Sequence, residues 1–166
     1  MVAPASEPDR LLTFAIAGRA FAVDLASIVE VIRYRPPTPV PGADPGVEGI
    51  LPLRGRMVTV IDARRRLALP ARETASPAQV IVVREDGELV GLVVDAVTGV
   101  AAAAGEAREP LPGALGVSRP EVYRGVLRRG AEYTLLLDLE KVLQGGAARG
   151  ATRADEGPRP PSGGGA

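Results

Sequence analysis

Residues 47–62 read V-E-G-I-L-P-L-R-G-R-M-V-T-V-I-D, and this stretch decides the fold. Two apolar runs, Gly49 to Leu53 and Met57 to Ile61, flank Arg54-Gly55-Arg56. Short runs rich in Val, Ile and Leu, bounded by glycine, proline or charge, form strands. A connection of about three residues with a central glycine makes a tight hairpin. Arg54 and Arg56 then stand at or near the turn. A guanidinium stays charged and grips a carboxylate through two bonds, which suits protein recognition. The plainer reading is that both arginines solubilise a turn and contribute little else.

The same grammar extends outward. On the N-terminal side, L-L-T-F-A-I-A (Leu11 to Ala17) and A-F-A-V-D-L (Ala20 to Leu25) flank Gly18-Arg19 as a second hairpin. D-L-A-S-I-V-E-V-I-R follows: a helical turn over Leu25 to Ile28, then a strand to about Tyr34, because its β-branched run prefers a strand. Glu30 interrupts that apolar run, so its carboxylate must meet water or a cation. Arg35 to Pro45 holds five prolines, which exclude a helix or a central strand. It reads as a rigid surface connector, with a polyproline ligand for another domain as the lesser alternative.

Past Asp62, Arg64, Arg65 and Arg66 read as a solvated turn or a partner-facing surface. Gln79 to Arg84 is a buried strand, Asp86-Gly87 a hairpin turn, and Leu89 to Asp95 the returning strand. Gly91 inside it marks a bulge or a close backbone approach. Ala96 to Val100 continues that strand after a bend, and Ala101 to Gly116 is an extended loop. Val122 to Arg128 and Glu132 to Asp138 form a last hairpin around Arg129-Gly130-Ala131. Asp138 caps a closing helix from Leu139 to about Gln144. Nine or ten short strands with turns between them make an all-β barrel or sandwich. The ordered domain is expected over 11–144, between a flexible tail at 1–10 and a Gly/Pro/Arg-rich disordered tail at 145–166.

Composition narrows the function. Of 166 residues, 46% are hydrophobic, enough for a core, and 20 Lys+Arg balance 20 Asp+Glu. A zero net charge gives no support to nucleic-acid binding or a polybasic membrane anchor. The absence of Cys removes disulfides, thiolate metal sites and cysteine nucleophiles. The absence of His removes the commonest general base, the commonest metal ligand and any Ser-His-Asp hydrolase. No apolar run reaches the roughly 18 residues that span a bilayer. The N-terminus lacks a signal-peptide h-region, so the chain reads as cytoplasmic, with no cofactor and no direct membrane insertion. An enzyme built on paired carboxylates, Asp62 with Asp95, is the rival of a different class. Aspartates that end strands are far more often turn or cap residues.

Three segments together carry a family resemblance: F-A-V-D-L-A-S-I-V-E-V-I-R (Phe21 to Arg33), the stretch from Pro41 to Arg64, and V-G-L-V-V-D-A-V-T-G-V (Val90 to Val100). Tyr123-Arg124-Gly125-Val126 and L-L-L-D-L-E-K-V-L (Leu135 to Leu143) fit as well. In order and spacing they resemble the CheW-like chemotaxis coupling proteins, over roughly residues 11 to 143. The resemblance implies two small five-stranded β-barrels packed together with a short C-terminal helix, and no catalysis. It implies an adaptor between the cytoplasmic tip of chemoreceptors and the regulatory domain of a CheA-type histidine kinase. Other CheW-like modules are implied as further partners. It places Glu30 on the family's acidic "V-x-E-V" position, Arg54 on the arginine of its "N-L-R-G" turn and Gly55 beside it. Ile28 and Val31 fall where apolar partner contacts belong. Gly49, Asp62, Gly91, Asp95 and Gly125 fall on structural positions. One departure is Pro52, where the family usually has Asn; proline removes a donor and fixes φ, so the bonding around the turn must differ. The same fold could instead serve another chemosensory pathway, or compete for receptor without binding kinase.

Overall fold

The computed structural model describes residues 10–102 and 107–145. In chain order the strands are β1 (Arg10–Ile16), β2 (Arg19–Asp24), β3 (Ile28–Arg33), β4 (Val47–Leu53), β5 (Arg56–Asp62), β6 (Gln79–Glu85), β7 (Glu88–Val94), β8 (Ala96–Ala102), β9 (Ala107–Glu109), β10 (Tyr123–Arg129) and β11 (Glu132–Leu137). The helices are α1 (Ala63–Arg66) and α2 (Leu139–Leu143). The tails expected over 1–10 and 145–166 lie outside the described residues, apart from Arg10 and Gly145. Arg10 belongs to β1 because it pairs with Ala102 of β8.

The strands form two sheets. One runs β8-β1-β2-β11-β10-β9 and the other β3-β6-β7-β5-β4. Two β-lobes and a short C-terminal helix are thus as the sequence implies, but the first lobe has six strands and neither ladder closes on itself. The extra strand is β9, inside the stretch expected as a loop. Its three residues, A-R-E, have no apolar alternation, and only the ladder to β10 makes them a strand. β8 likewise does not extend β7: after Asp95 the chain leaves the second sheet and pairs with β1 in the first.

The five-stranded sheet is strongly curled. Laid flat, β3 and β4 would stand about 19 Å apart, at about 4.8 Å per strand. Instead the connector after β3 runs back along β4. Thr38 and Ile50 exchange both backbone hydrogen bonds, at 2.9 Å each. Gly49 permits this, because a Cβ there would lie on the Thr38 carbonyl and its φ is +151°.

The core explains why the two lobes act as one unit. Alternate residues of β6 point to opposite faces: Val80 and Val82 fill the second lobe with Leu51, Val58 and Val60. Ile81 and Val83 instead join Phe14, Phe21, Val23, Leu92, Val94 and Leu137 between the sheets. The first lobe has a smaller interior of Leu11, Ala22, Leu127 and Leu136. The largest cluster therefore lies between the lobes.

Turn chemistry departs from expectation in detail. Of the four two-residue hairpin loops, Gly130-Ala131 has positive φ at its glycine alone, while Ala17-Gly18, Arg54-Gly55 and Asp86-Gly87 have it at both positions. That is the type I′ pattern, whose twist matches the flanking strands. The turn therefore starts one residue earlier than Gly18-Arg19, and Arg56 already belongs to β5. Gly91 makes no bulge, since the β6–β7 register runs unbroken through Val82 and Gly91. It is a close approach: a Cβ would come within 2.5 Å of Val80 Cγ1.

Candidate functional site

Glu30 and Arg54, 24 residues apart on opposite edges of the curled sheet, meet: Arg54 Nη2 donates to Glu30 Oε2 at 3.2 Å. The Arg54 side chain is 80% exposed and Glu30 24%, so the carboxylate is set back and the guanidinium faces outward. Arg54 occupies the first turn position with φ +49°, a conformation that Asn, Asp or Gly adopts more readily. Gly55, at φ +76°, completes the turn in open space. An exposed pair of this kind contributes about 0–1 kcal/mol. Its geometry matters more than its energy, because it holds one charge of each sign at a fixed place.

Pro52 does not disturb this turn. Ile50 turns both its backbone groups outward to Thr38. In a strand, residues two apart share that orientation. The missing N–H of Pro52 therefore faces the edge, where no bond to β5 is lost, and its carbonyl accepts from Arg35 Nη2 at 3.2 Å. Pro52 and Met57 stand directly opposite each other across the hairpin, and Met57 is 64% exposed.

Ile28 and Val31 are half-buried and pack against the inter-lobe core. The β3–β6 register shifts between Ile28 and Glu30, and the extra residue, Val29, is pushed outward. Val29 is the exposed apolar side chain of this strand. The bulge is set by pairing with β6 and has no mark in I-V-E-V-I.

Of the three arginines expected as a solvated turn or partner-facing surface, Arg65 is largely in solvent, whereas Arg64 and Arg66 are drawn into the fold. Arg64 makes a two-pronged contact with Asp95, Nε to Oδ1 at 3.3 Å and Nη2 to Oδ2 at 2.7 Å. Asp95 also accepts from the Ala17 amide, and Asp62 caps α1 by accepting from the Arg64 amide. Both carboxylates of the enzyme alternative are thereby spent on the fold. Arg66 is buried, its Nη1 2.9 Å from Asp44 Oδ1, between Gly46 and Gly145, at either of which a Cβ would strike its guanidinium. Its Nε is buried without a partner. Arg119 donates to the Arg66 and Lys141 carbonyls, tying α1 to α2.

At the lobe junction two adjoining hollows, of about 200 and 260 Å³, share Ser27, Leu139 and Glu140. They are lined by Asp24, Arg124 and Asp138 on one side and by Arg84, Glu85 and Asp86 on the other. Burial raises the Glu85 carboxyl above its ordinary 4.5, and Glu140, Asp86 and Asp138 add to the shift. A carboxyl raised in the folded state costs stability as pH rises through its folded value and nothing below the unfolded one. Glu85→Gln is therefore expected to raise the melting temperature at pH 7, with the gain vanishing below about pH 4.5. A pH-independent gain in thermal denaturation would show another cause. Among the described residues, no set of three or more carboxylates is placed to hold a metal ion, and no helix is long and apolar enough to cross a membrane.

A family match to the CheW-like domain covers residues 10–146. This chain belongs to the CheW-like domain family. The chemotaxis protein CheW of Rhizobium meliloti is 29% identical over 133 residues, covering 80% of this chain and 86% of that protein. The CheW of Treponema pallidum is 28% identical over 142 residues, 82% and 83% of the two chains. The CheW of Thermotoga maritima is 34% identical over 99 residues, 60% of this chain and 65% of that protein. The crystal structure of the scaffolding protein TtCheW from Thermoanaerobacter tengcongensis has the same fold, with a TM-score of 0.71, 24% identity and coverage of 84% of this chain and 90% of that one. The CheW-like family thus supplies the two-lobed frame seen here, and Glu30, Arg54 and Gly55 stand together on its second lobe.

Proposed function

We propose that this chain is a non-catalytic adaptor of chemotaxis signal transduction, coupling the cytoplasmic tip of chemoreceptors to the regulatory domain of a CheA-type histidine kinase. Its place is the cytoplasm, at receptor arrays it joins through its partners, with other CheW-like modules as further neighbours. The family match over residues 10–146 carries the reading. The Glu30–Arg54 pair at the rim of the second lobe supports the siting of a partner contact there. The receptor contact uses Glu30, Arg54 and Gly55 with the apolar side chains of β3. Since Ile28 and Val31 are half-buried in the inter-lobe core, they act by supporting the strand while Val29 makes the contact. A receptor helix lies across this rim, where Glu30, Arg54 and the exposed Val29 stand. Coupling follows when both partners hold one rigid body, so that a shift at one contact biases the other. The intact turn around Pro52 leaves the ordinary coupling role as the simplest reading among the chemosensory alternatives.

Calorimetric titration tests this with the full chain against the kinase regulatory domain and against a receptor-tip fragment. Arg54→Asn keeps the turn, since Asn-Gly suits a type I′ loop better than Arg-Gly, and its melting temperature should stay within about 2 °C. The variant should bind kinase as the parent does and lose at least about tenfold toward receptor. Failure of the unmutated chain to bind the kinase domain would remove the coupling role while sparing the fold.

A further inference from the structure

The strap from Arg35 to Pro41, R-P-P-T-P-V-P, is used by nothing above except to cover the edge of β4. Each of its residues is a proline or directly precedes one. Proline locks φ near −65°, and a residue before proline is pushed out of the helical region toward extended or polyproline II backbone. All seven positions are therefore confined by sterics alone.

The fold then pins this stiff segment from one side. Tyr34 donates its amide to the Ala78 carbonyl at 3.0 Å and its hydroxyl to Glu48 at 2.9 Å. The Arg72 guanidinium lies over its ring, 4.4 Å from the centroid. Arg35 holds the Pro52 carbonyl, and Thr38 pairs with Ile50. The opposite side is open. Pro36, Thr38, Pro39 and Pro41 are exposed, Val40 is 44% exposed, and Pro37 is turned partly inward. Polyproline II has three residues per turn, so Pro36 and Pro39 fall on one ridge. Arg33, exposed at the end of β3, stands three residues before that ridge.

We propose that this strap is a preformed proline-rich ligand for a partner domain whose groove is lined with aromatic side chains and carries acidic residues at the end that meets Arg33. Aromatic-lined grooves recognise prolines two turn-equivalents of one ridge at a time, and a basic residue at one end sets the direction. Pinning in advance removes most of the ordering cost that a free peptide meets on binding. The partner is not a second copy of this chain. Only 3% of the sequence is aromatic; Phe14 and Phe21 are buried, and Tyr133 alone among the described large aromatics is strongly exposed. Arg33 lies on β3 and Arg35 bonds to Pro52, two residues from Arg54, so the strap adjoins the receptor contact proposed above, but its recognition does not depend on that contact.

The test uses the isotope-labelled full chain and, as probe, an isolated SH3 domain of the class that takes an arginine three residues ahead of a P-x-x-P ligand. Saturable amide shifts should centre on Arg33, Arg35, Thr38 and Val40. They should disappear in the Pro36→Ala/Pro39→Ala double variant and need at least fivefold more probe in Arg33→Glu. Arg33→Glu removes no described bond and leaves every proline in place, so it separates loss of recognition from loss of the strap's shape. The absence of shifts at millimolar probe, or shifts that survive the double variant, would overturn the proposal and leave the strap as a cover for the β4 edge.

Discussion

Asp44→Ala should destabilise the protein by about 3 kcal/mol, because it leaves the Arg66 guanidinium buried without its counter-ion. The Arg66 side chain is only 8% exposed, and its Nη1 reaches Asp44 at 2.9 Å. The second Nη group has only the distant Leu143 carbonyl, at 3.5 Å, and Nε has no partner. Gly46 and Gly145 close on the guanidinium, so there is no room for it to swing out to water. The same substitution also removes the acceptor of the Gly46 amide, which donates to Asp44 at 2.7 Å. A loss of that size corresponds to a fall in melting temperature on the order of 10 °C. Thermal denaturation followed by circular dichroism measures it. Arg124→Ala serves as the contrast. Its pair with Asp24 is closer, at 2.6 Å, but the two side chains are 41% and 44% exposed. Water replaces the lost partner there, and the melting temperature should move by no more than about 2 °C. If both variants melt alike, burial does not decide the worth of these pairs.

Gly49→Ala should cost a comparable amount, about 3 kcal/mol, through the backbone rather than through charge. At φ +151° a side chain is strained, at about 1–2 kcal/mol. The new methyl would also lie on the Thr38 carbonyl, and relief requires breaking the Thr38–Ile50 bridge. Its two hydrogen bonds contribute about 1 kcal/mol each. Loosening the bridge frees the strap from the β4 edge. Hydrogen exchange should therefore quicken at the Thr38 and Ile50 amides before it does in β6. Gly55→Ala tests the assignment from the other side. That position has φ +76° but open space around it, so the variant meets the conformational cost without the clash. Equal losses in both would mean that the close approach contributes nothing.

Much of the architecture was legible in local chemistry. Apolar runs of β-branched residues between X-Gly pairs mark the hairpins, since both the I′ turn and the pleated surface select residue types directly. Asp138 at the start of α2 was readable for the same reason, since a short acidic side chain caps the amides that follow it. The ordered set of motifs singles out Glu30, Arg54 and Gly55, and the fold brings Glu30 and Arg54 into contact.

What escaped were features made by partners distant in the chain. β9 is a strand because β10 lies beside it, and β8 belongs to the first lobe because β1 offers an edge. Arg64, Arg65 and Arg66 have one residue type and three surroundings. Arg64 faces Asp95, Arg65 lies largely in solvent beside Asp62, and Arg66 is sealed between two glycines. No local pattern separates them. Val29 is exposed only because β6 forces a bulge ahead of Glu30.

The sequence by itself determined an all-β chain of short hairpins, without the histidine and cysteine that most catalytic sites need, carrying the CheW-like series of motifs. Those properties follow from residue type and spacing, which act within a few residues. The tertiary structure alone decided which strands share a lobe, that the largest core cluster lies between the lobes, and that Glu30 and Arg54 face each other at 3.2 Å. Those depend on how far each sheet curls, and curl is set by packing across the whole interface.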